Sequence, residues 1–166
     1  MKKIFFLIFI FLHFNSFSLA ENLKFKKIAS LDKPWGSSFI SNDEIIITEK
    51  SGKIKIVNIL NGNVAEIGHN LNFLEYGQGG LLDILHKDNF IYISYTENRV
   101  NWKTSTSIAK AKLDKQNLLF KNIFQANPPI DSGYHFGSRL AIKDNYLYAS
   151  VGERGKGMIA QDASMH

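Results

Sequence analysis

Lys87-Asp88-Asn89-Phe90-Ile91-Tyr92-Ile93-Ser94-Tyr95-Thr96-Glu97 returns 56 residues later as Lys143-Asp144-Asn145-Tyr146-Leu147-Tyr148-Ala149-Ser150-Val151-Gly152-Glu153. A diverged third copy, Ser41-Asn42-Asp43-Glu44-Ile45-Ile46-Ile47-Thr48-Glu49, reads at an offset of 48 that aligns Glu49 with Glu97. Each copy alternates apolar and polar positions in the two-residue period of a strand, and each follows a short apolar run: Ser37–Ile40, Leu81–His86 and Arg139–Ile142. Between copies lie two further strand candidates per interval, Lys53–Asn58 with Val64–Ile67, then Thr106–Leu113 with Leu118–Gln125. Four short strands per unit, recurring every 48 to 56 residues, mark the blades of a β-propeller. No stretch carries a helical apolar stripe, so the fold class is all-β. A β-sandwich with look-alike hairpins is the plainer alternative, and the shared Lys-Asp-Asn turn argues against it.

Outward from the repeat, the first 20 residues are of another kind, holding six of the 13 Phe in the chain of 166. Lys2 and Lys3 precede an apolar run from Ile4 to Phe14, and Asn15–Ala20 ends in Ser18 and Ala20 at the positions a signal peptidase reads. The run would span roughly 16 Å as a helix, against roughly 30 Å of bilayer core. Residues 1–20 therefore read as a signal peptide cleaved after Ala20, giving an exported protein, periplasmic or secreted, with no stable membrane insertion. Residues 21–166 hold about two blades and the start of a third. Propellers close with four to eight, so this part reads as the N-terminal portion of a longer propeller. Net charge is +5, or +3 without Lys2 and Lys3, which is no nucleic-acid signature. The absence of Cys excludes disulfide frameworks, thiol chemistry and Cys-ligated zinc.

The repeat also predicts a site. Under the 56-residue shift Gln78 aligns with Tyr134 and Gly79 with His135, so Gln78 and His135 enter the first strands of consecutive blades at the same height. In a propeller these strands line the central channel. The loop after the second strand, Glu153–Gly157 in the third unit, opens on the same face. His135, Gln78 and the Arg154 loop should meet at one channel mouth, the kind of concave polar place where function resides. His135 is a candidate general base, its bland alternative a structural histidine. Gln78 could hydrogen-bond a polar ligand or simply close its Gly77-Gln78-Gly79-Gly80 turn. Arg154 and Lys156 could offer cations to an anionic ligand or sit on a solvated turn. Glu49, Glu97 and Glu153 read as structural acceptors of turn amides, Asp83 as a channel-facing residue without a role, and Trp35 and Trp102 as packing anchors. His69 and His86 have no partner at metal-ligand spacing, and no Asp-x-Asp-x-Asp-Gly calcium loop occurs.

Five strings stand in a recognisable order: Pro34-Trp35-Gly36, Gln78-Gly79-Gly80-Leu81-Leu82-Asp83, His135-Phe136-Gly137-Ser138-Arg139-Leu140, Gly152-Glu153-Arg154-Gly155 and Ala160-Gln161-Asp162. Together they resemble the glucose/sorbosone dehydrogenase family, the soluble PQQ-dependent aldose sugar dehydrogenases, over the N-terminal part of its length. The resemblance implies a six-bladed propeller that carries pyrroloquinoline quinone (PQQ) at the channel mouth, usually with a calcium ion. It implies oxidation of an aldose at its anomeric carbon to the lactone, with hydride passing to the quinone and electrons leaving to an external acceptor. His135 matches the family's catalytic histidine, and Gln78 a residue beside the quinone. Arg154 falls where the family places a polar residue stacked on the cofactor. The family's calcium ligands and further basic quinone contacts belong to later blades. Two other readings compete: a non-enzymatic propeller binding carbohydrate or protein, and a lactonase-type hydrolase, which would need metal-binding carboxylates at the channel.

Overall fold

Alternation along the second and third strands of the first unit sets its sheet. In the computed structural model, which describes residues 24–162 and 164, Ile54 and Ile56 turn inward between exposed or half-exposed Lys53 and Lys55. The signal-peptide expectation for residues 1–20 falls outside the described residues. The first sheet runs β1 (Pro34–Phe39), β2 (Glu44–Glu49), β3 (Lys53–Asn58) and β4 (Val64–His69) as an antiparallel meander. The second runs β5 (Leu81–Lys87), β6 (Phe90–Asn98), β7 (Thr104–Lys112) and, past the two-residue β8 (Asn117–Leu118), β9 (Lys121–Gln125). The third unit shows its first two strands, β10 (Gly137–Lys143) and β11 (Tyr146–Val151). The described residues form about two blades of a β-propeller and the start of a third. Among the described residues no helix is long and apolar enough to cross a membrane.

The Lys-Asp-Asn signature is a hairpin turn. Asp88 and Asn89 both take positive φ (49° and 64°) between the paired residues Lys87 and Phe90, the mirror-image turn whose twist suits a two-residue hairpin. Asp and Asn tolerate that region better than other side chains do.

Blades are joined by a repeated hydroxyl peg. The first strand of every unit carries a register break, between Pro34 and Ser37, Leu81 and Ile84, and Gly137 and Leu140. At each break the N–H left over by the irregularity donates to a hydroxyl on the second strand: Gly36 to Thr48 (2.9 Å), Asp83 to Ser94 (3.0 Å), Arg139 to Ser150 (3.0 Å). That hydroxyl then donates across to the first strand of the next blade, Thr48 to Leu82 O (2.5 Å) and Ser94 to Ser138 O (2.7 Å). Buried backbone groups on both sides are thereby paired, which close blade packing requires. Gly36 allows the approach, because a Cβ there would stand 2.7 Å from Asp83 Cα. The core beneath joins Ile46, Ile54, Ile56 and Ile67 of the first blade to Leu81, Ile84, Ile91, Ile93 and Tyr95 of the second.

Three expectations are corrected. The first copy of the repeat aligns at an offset of 46, not 48. Glu49 pairs with Pro34 where Tyr95 pairs with Leu81 and Val151 with Gly137. The reason is that β2 ends at Glu49 and turns at once through Ser51–Gly52, whereas β6 continues to Asn98. The single strand expected over Leu118–Gln125 is divided. Asn117 and Leu118 pair in parallel with Gly68 and His69 of the first blade, and only Lys121–Gln125 joins the second. Leu118 and Phe120 are buried, and Asn70 clamps the Phe120 backbone with bonds of 2.8 and 3.2 Å. Burial of two apolar side chains against the neighbouring blade outweighs continuation of the strand. Finally, Trp35 and Trp102 are 51% and 74% exposed among the described residues, so neither belongs to the core formed here. Trp35 lies on the channel-side strand, and Trp102 on a left-handed turn (φ 62°) after β6.

Candidate active site at the channel mouth

Two loops that enter β5 and β10 are locked together. Gln78 N donates to Gly133 O at 2.7 Å, and His135 N donates to the Gln78 side-chain Oε1 at 2.9 Å. Gly77 is required at the crossing, because a Cβ on it would stand 2.4 Å from Gly133 O. The first blade reaches the same place through Lys50, whose ammonium donates to Gly77 O at 2.5 Å and lies 3.9 Å from Glu75. All three units thus contribute to one end of the assembly. With Oε1 engaged, the Gln78 amide N–H groups remain as donors at an exposed position.

His135 is held in the left-handed region, φ 48°, a conformation that costs free energy for a non-glycine residue and that its surroundings must impose. They do so at every carbonyl of the loop. Ser132 O accepts from Arg154 Nη2, Gly133 O from Gln78 N, Tyr134 O from Arg154 Nε at 3.0 Å, and His135 O from Arg154 N at 3.3 Å. Phe136 O accepts from Thr106 Oγ1 at 2.7 Å and from Gly152 N at 3.2 Å. Gly152 is obligatory, since a Cβ there would sit 1.9 Å from His135 O.

The imidazole itself meets a carboxylate. His135 Nδ1 lies 2.5 Å from Glu153 Oε1, with about half of the His135 side chain exposed. This hydrogen bond is the main cause holding the Glu153 carboxyl below its usual range, so at neutral pH it is an acceptor and Nδ1 carries the proton. That leaves Nε2 as the ring nitrogen turned away from the carboxylate, the one that would accept a proton from a substrate as a general base does. The sequence reading placed Glu153 with Glu49 and Glu97 as a structural acceptor. Glu97 is one, binding Ser107, Asn122 and Gln125. Among the described residues Glu49 accepts from the Asp32 amide at 2.8 Å. Glu153 differs because the histidine of its own unit lies opposite, a pairing visible only once β10 and β11 are set side by side.

Arg154 departs from expectation. Its side chain turns inward and is 5% exposed. Nη1 donates to Thr104 O (3.0 Å), Nη2 to Thr104 Oγ1 (2.7 Å) and Ser132 O, and Nε to Tyr134 O, with the guanidinium 3.7 Å above the Phe136 ring. Four of its five N–H donors are thus engaged within the protein, so it is not a cation presented to solvent. Burial pushes it down to about 10, which leaves it charged at neutral pH. Lys156 stays exposed in the turn closed by its own N–H to Glu153 O. Asp83, also left without a role, is buried and accepts from Leu140 N at 2.8 Å, tying the second blade to the third.

Among the described residues no group of three His, Asp or Glu side chains is placed to hold a metal ion, and no step is assigned to calcium. The donors at the mouth, the Gln78 N–H groups beside the imidazole, are of the kind that would hold carbonyl and carboxylate oxygens.

Residues 31–166 match the family described as Glucose / Sorbosone dehydrogenase. The chain is 30% identical over 142 residues to aldose sugar dehydrogenase YliI of Escherichia coli K12, covering 80% of this chain and 38% of that protein. It is 34% identical over 143 residues to the uncharacterized protein slr1608 of Synechocystis, covering 77% and 34%. Its structure resembles the crystal structure of the soluble aldose sugar dehydrogenase of Escherichia coli in the apo form, with TM-score 0.74 and 28% identity over 81% of this chain and 42% of that one. The PQQ-bound aldose sugar dehydrogenase of Streptomyces coelicolor shares the fold, with TM-score 0.73 at 24% identity over 82% and 43%. The chain spans well under half the length of these relatives.

Proposed function

The chain belongs to the glucose/sorbosone dehydrogenase family, and from that premise we propose that it is the N-terminal part of an exported quinoprotein that oxidises aldoses at the anomeric carbon to lactones. Residues 1–20 enter this reading as the export signal and 21–166 as the start of the propeller. The observation that carries it is the Glu153–His135 pair, 2.5 Å apart on a loop whose carbonyls are all hydrogen-bonded. Glu153 fixes the tautomer and the angle of the ring. His135 Nε2 takes the proton from the C1 hydroxyl as C1 becomes the lactone carbonyl, and Glu153 stabilises the imidazolium that forms. Gln78 holds the His135 amide with its oxygen, and its N–H groups would help to hold the quinone. Pyrroloquinoline quinone, when bound, supplies the acceptor for the hydride from C1. The electrons would then leave to an external acceptor.

The test is dye-linked oxidation of glucose and other aldoses by the full-length protein, with and without added quinone and calcium. Quinone-dependent turnover is the expected result. Absence of both turnover and quinone binding would overturn the proposal in favour of a carbohydrate- or protein-binding propeller.

A further inference from the structure

We propose that Arg154 is a positioning residue that holds the His135 loop from beneath and acts on the reaction only through that loop. The inference rests on the dehydrogenase reading and adds to it a residue whose charge would otherwise suggest direct contact with an anionic ligand.

The geometry is that of a clamp. One guanidinium binds three stretches of chain: the start of β7 at Thr104, the loop carbonyls of Ser132 and Tyr134, and the ring of Phe136 that follows His135. The Arg154 backbone N–H adds a bond to His135 O. His135 is therefore flanked on both sides by residues tied to Arg154, and Glu153, its carboxylate partner, is the adjacent residue in the chain. A planar fork can do this where an ammonium cannot, because it serves several carbonyls in one plane while stacking on a ring. No carboxylate accepts from the guanidinium among the described residues; its partners are carbonyl and hydroxyl oxygens. The interaction thus fixes backbone and does not neutralise a buried acid. A misplacement on the order of 1 Å in a catalytic group lowers rate about a hundredfold, so the clamp has kinetic consequences without touching substrate.

The experiment uses the full-length protein with Arg154→Met, which keeps bulk over Phe136 but removes every donor, and Arg154→Lys, which keeps charge but not the fork. Turnover at saturating quinone is expected to fall about ten- to a hundredfold in Arg154→Met and less in Arg154→Lys. The quinone Kd and the sugar KM should stay within about threefold of the parent. Amide hydrogen exchange should quicken at Gln78, His135, Gly152 and residue 154, with β5 and β6 amides unchanged. Weaker quinone binding with unchanged turnover at saturation would overturn the proposal and make Arg154 a cofactor contact. Unchanged exchange in the loop would overturn it as well. If Arg154→Met does not fold, Arg154→Lys alone decides by the same split between turnover and binding. The exchange measurement needs no enzymatic activity, so it tests the clamp even if the parent protein oxidises no aldose.

Discussion

Replacing Gly152 by Ala adds a single methyl group at the point where β11 leaves its sheet and passes the histidine loop. Its Cβ would lie 1.9 Å from His135 O, 2.6 Å from His135 C and 3.0 Å from Gly137 N, against ordinary contact at 3.4 Å and beyond. All three neighbours are backbone, so no side chain can swing aside. Relief requires the His135 peptide and the Gly152 strand to separate by about 1.5 Å, which breaks Gly152 N to Phe136 O and Arg154 N to His135 O. Two effects follow. Overpacking of this kind costs about 1–3 kcal/mol, read as a lowered Tm or denaturant midpoint of the full-length protein. Displacement of the imidazole by more than 1 Å lowers turnover about a hundredfold or more, read in the dye-linked assay at saturating quinone and sugar. Gly157→Ala is the matched control, since a Cβ there meets nothing within 4 Å, and it should leave both readouts alone. Parent-like turnover in Gly152→Ala would refute the account of how the histidine is held.

His135→Ala should retain quinone binding and lose turnover by about 10²- to 10⁴-fold; unchanged turnover in the same assay rejects its role as the base. Glu153→Gln removes the ionised partner of the ring while keeping its size, and should lower kcat about a hundredfold with little change in KM, measured by steady-state kinetics. Thr48→Val leaves Gly36 N and Leu82 O without their hydroxyl partner between blades, a loss of about 1–3 kcal/mol seen in urea unfolding. Tyr95 is pushed up to about 12, first by burial and then by the Glu97 charge. Because that folded value exceeds the unfolded one near 10, its contribution is intact below about pH 10 and is lost as pH rises toward 12. Tyr95→Phe should show a shallower alkaline fall in Tm over that window.

The strands were legible because period-two alternation and the Lys-Asp-Asn turn are local properties of the chain. Ile54 and Ile56 between lysines, and Asp88-Asn89 between apolar runs, need nothing distant to declare themselves. The meeting of Gln78 with His135 was legible because the 56-residue repeat supplies the distant half of the argument. What escaped depends on the third dimension. The offset of the first copy followed an apparent Glu-to-Glu match, whereas the structure counts from the strand break. Leu118 left its own blade because apolar burial lay next door. Glu153 looked like Glu97, yet one faces an imidazole and the other a cluster of amides and a hydroxyl. Arg154, surrounded in sequence by glycines, reads as a surface cation until Thr104 and Ser132 are seen to enclose it.

The Thr48 and Ser94 hydroxyls give the first and second wedges a donor on the leading side, and Leu82 and Ser138 give the second and third a carbonyl socket on the trailing side. Contacts of that heterologous kind cannot pair two identical faces; they generate a procession. A series of this sort stops when its last connector meets its first socket, and the stopping number follows from the angle turned per step. Loop variation at the mouth can therefore change chemistry without touching the arithmetic of closure, while one altered peg would disturb the circle and leave the individual wedges intact.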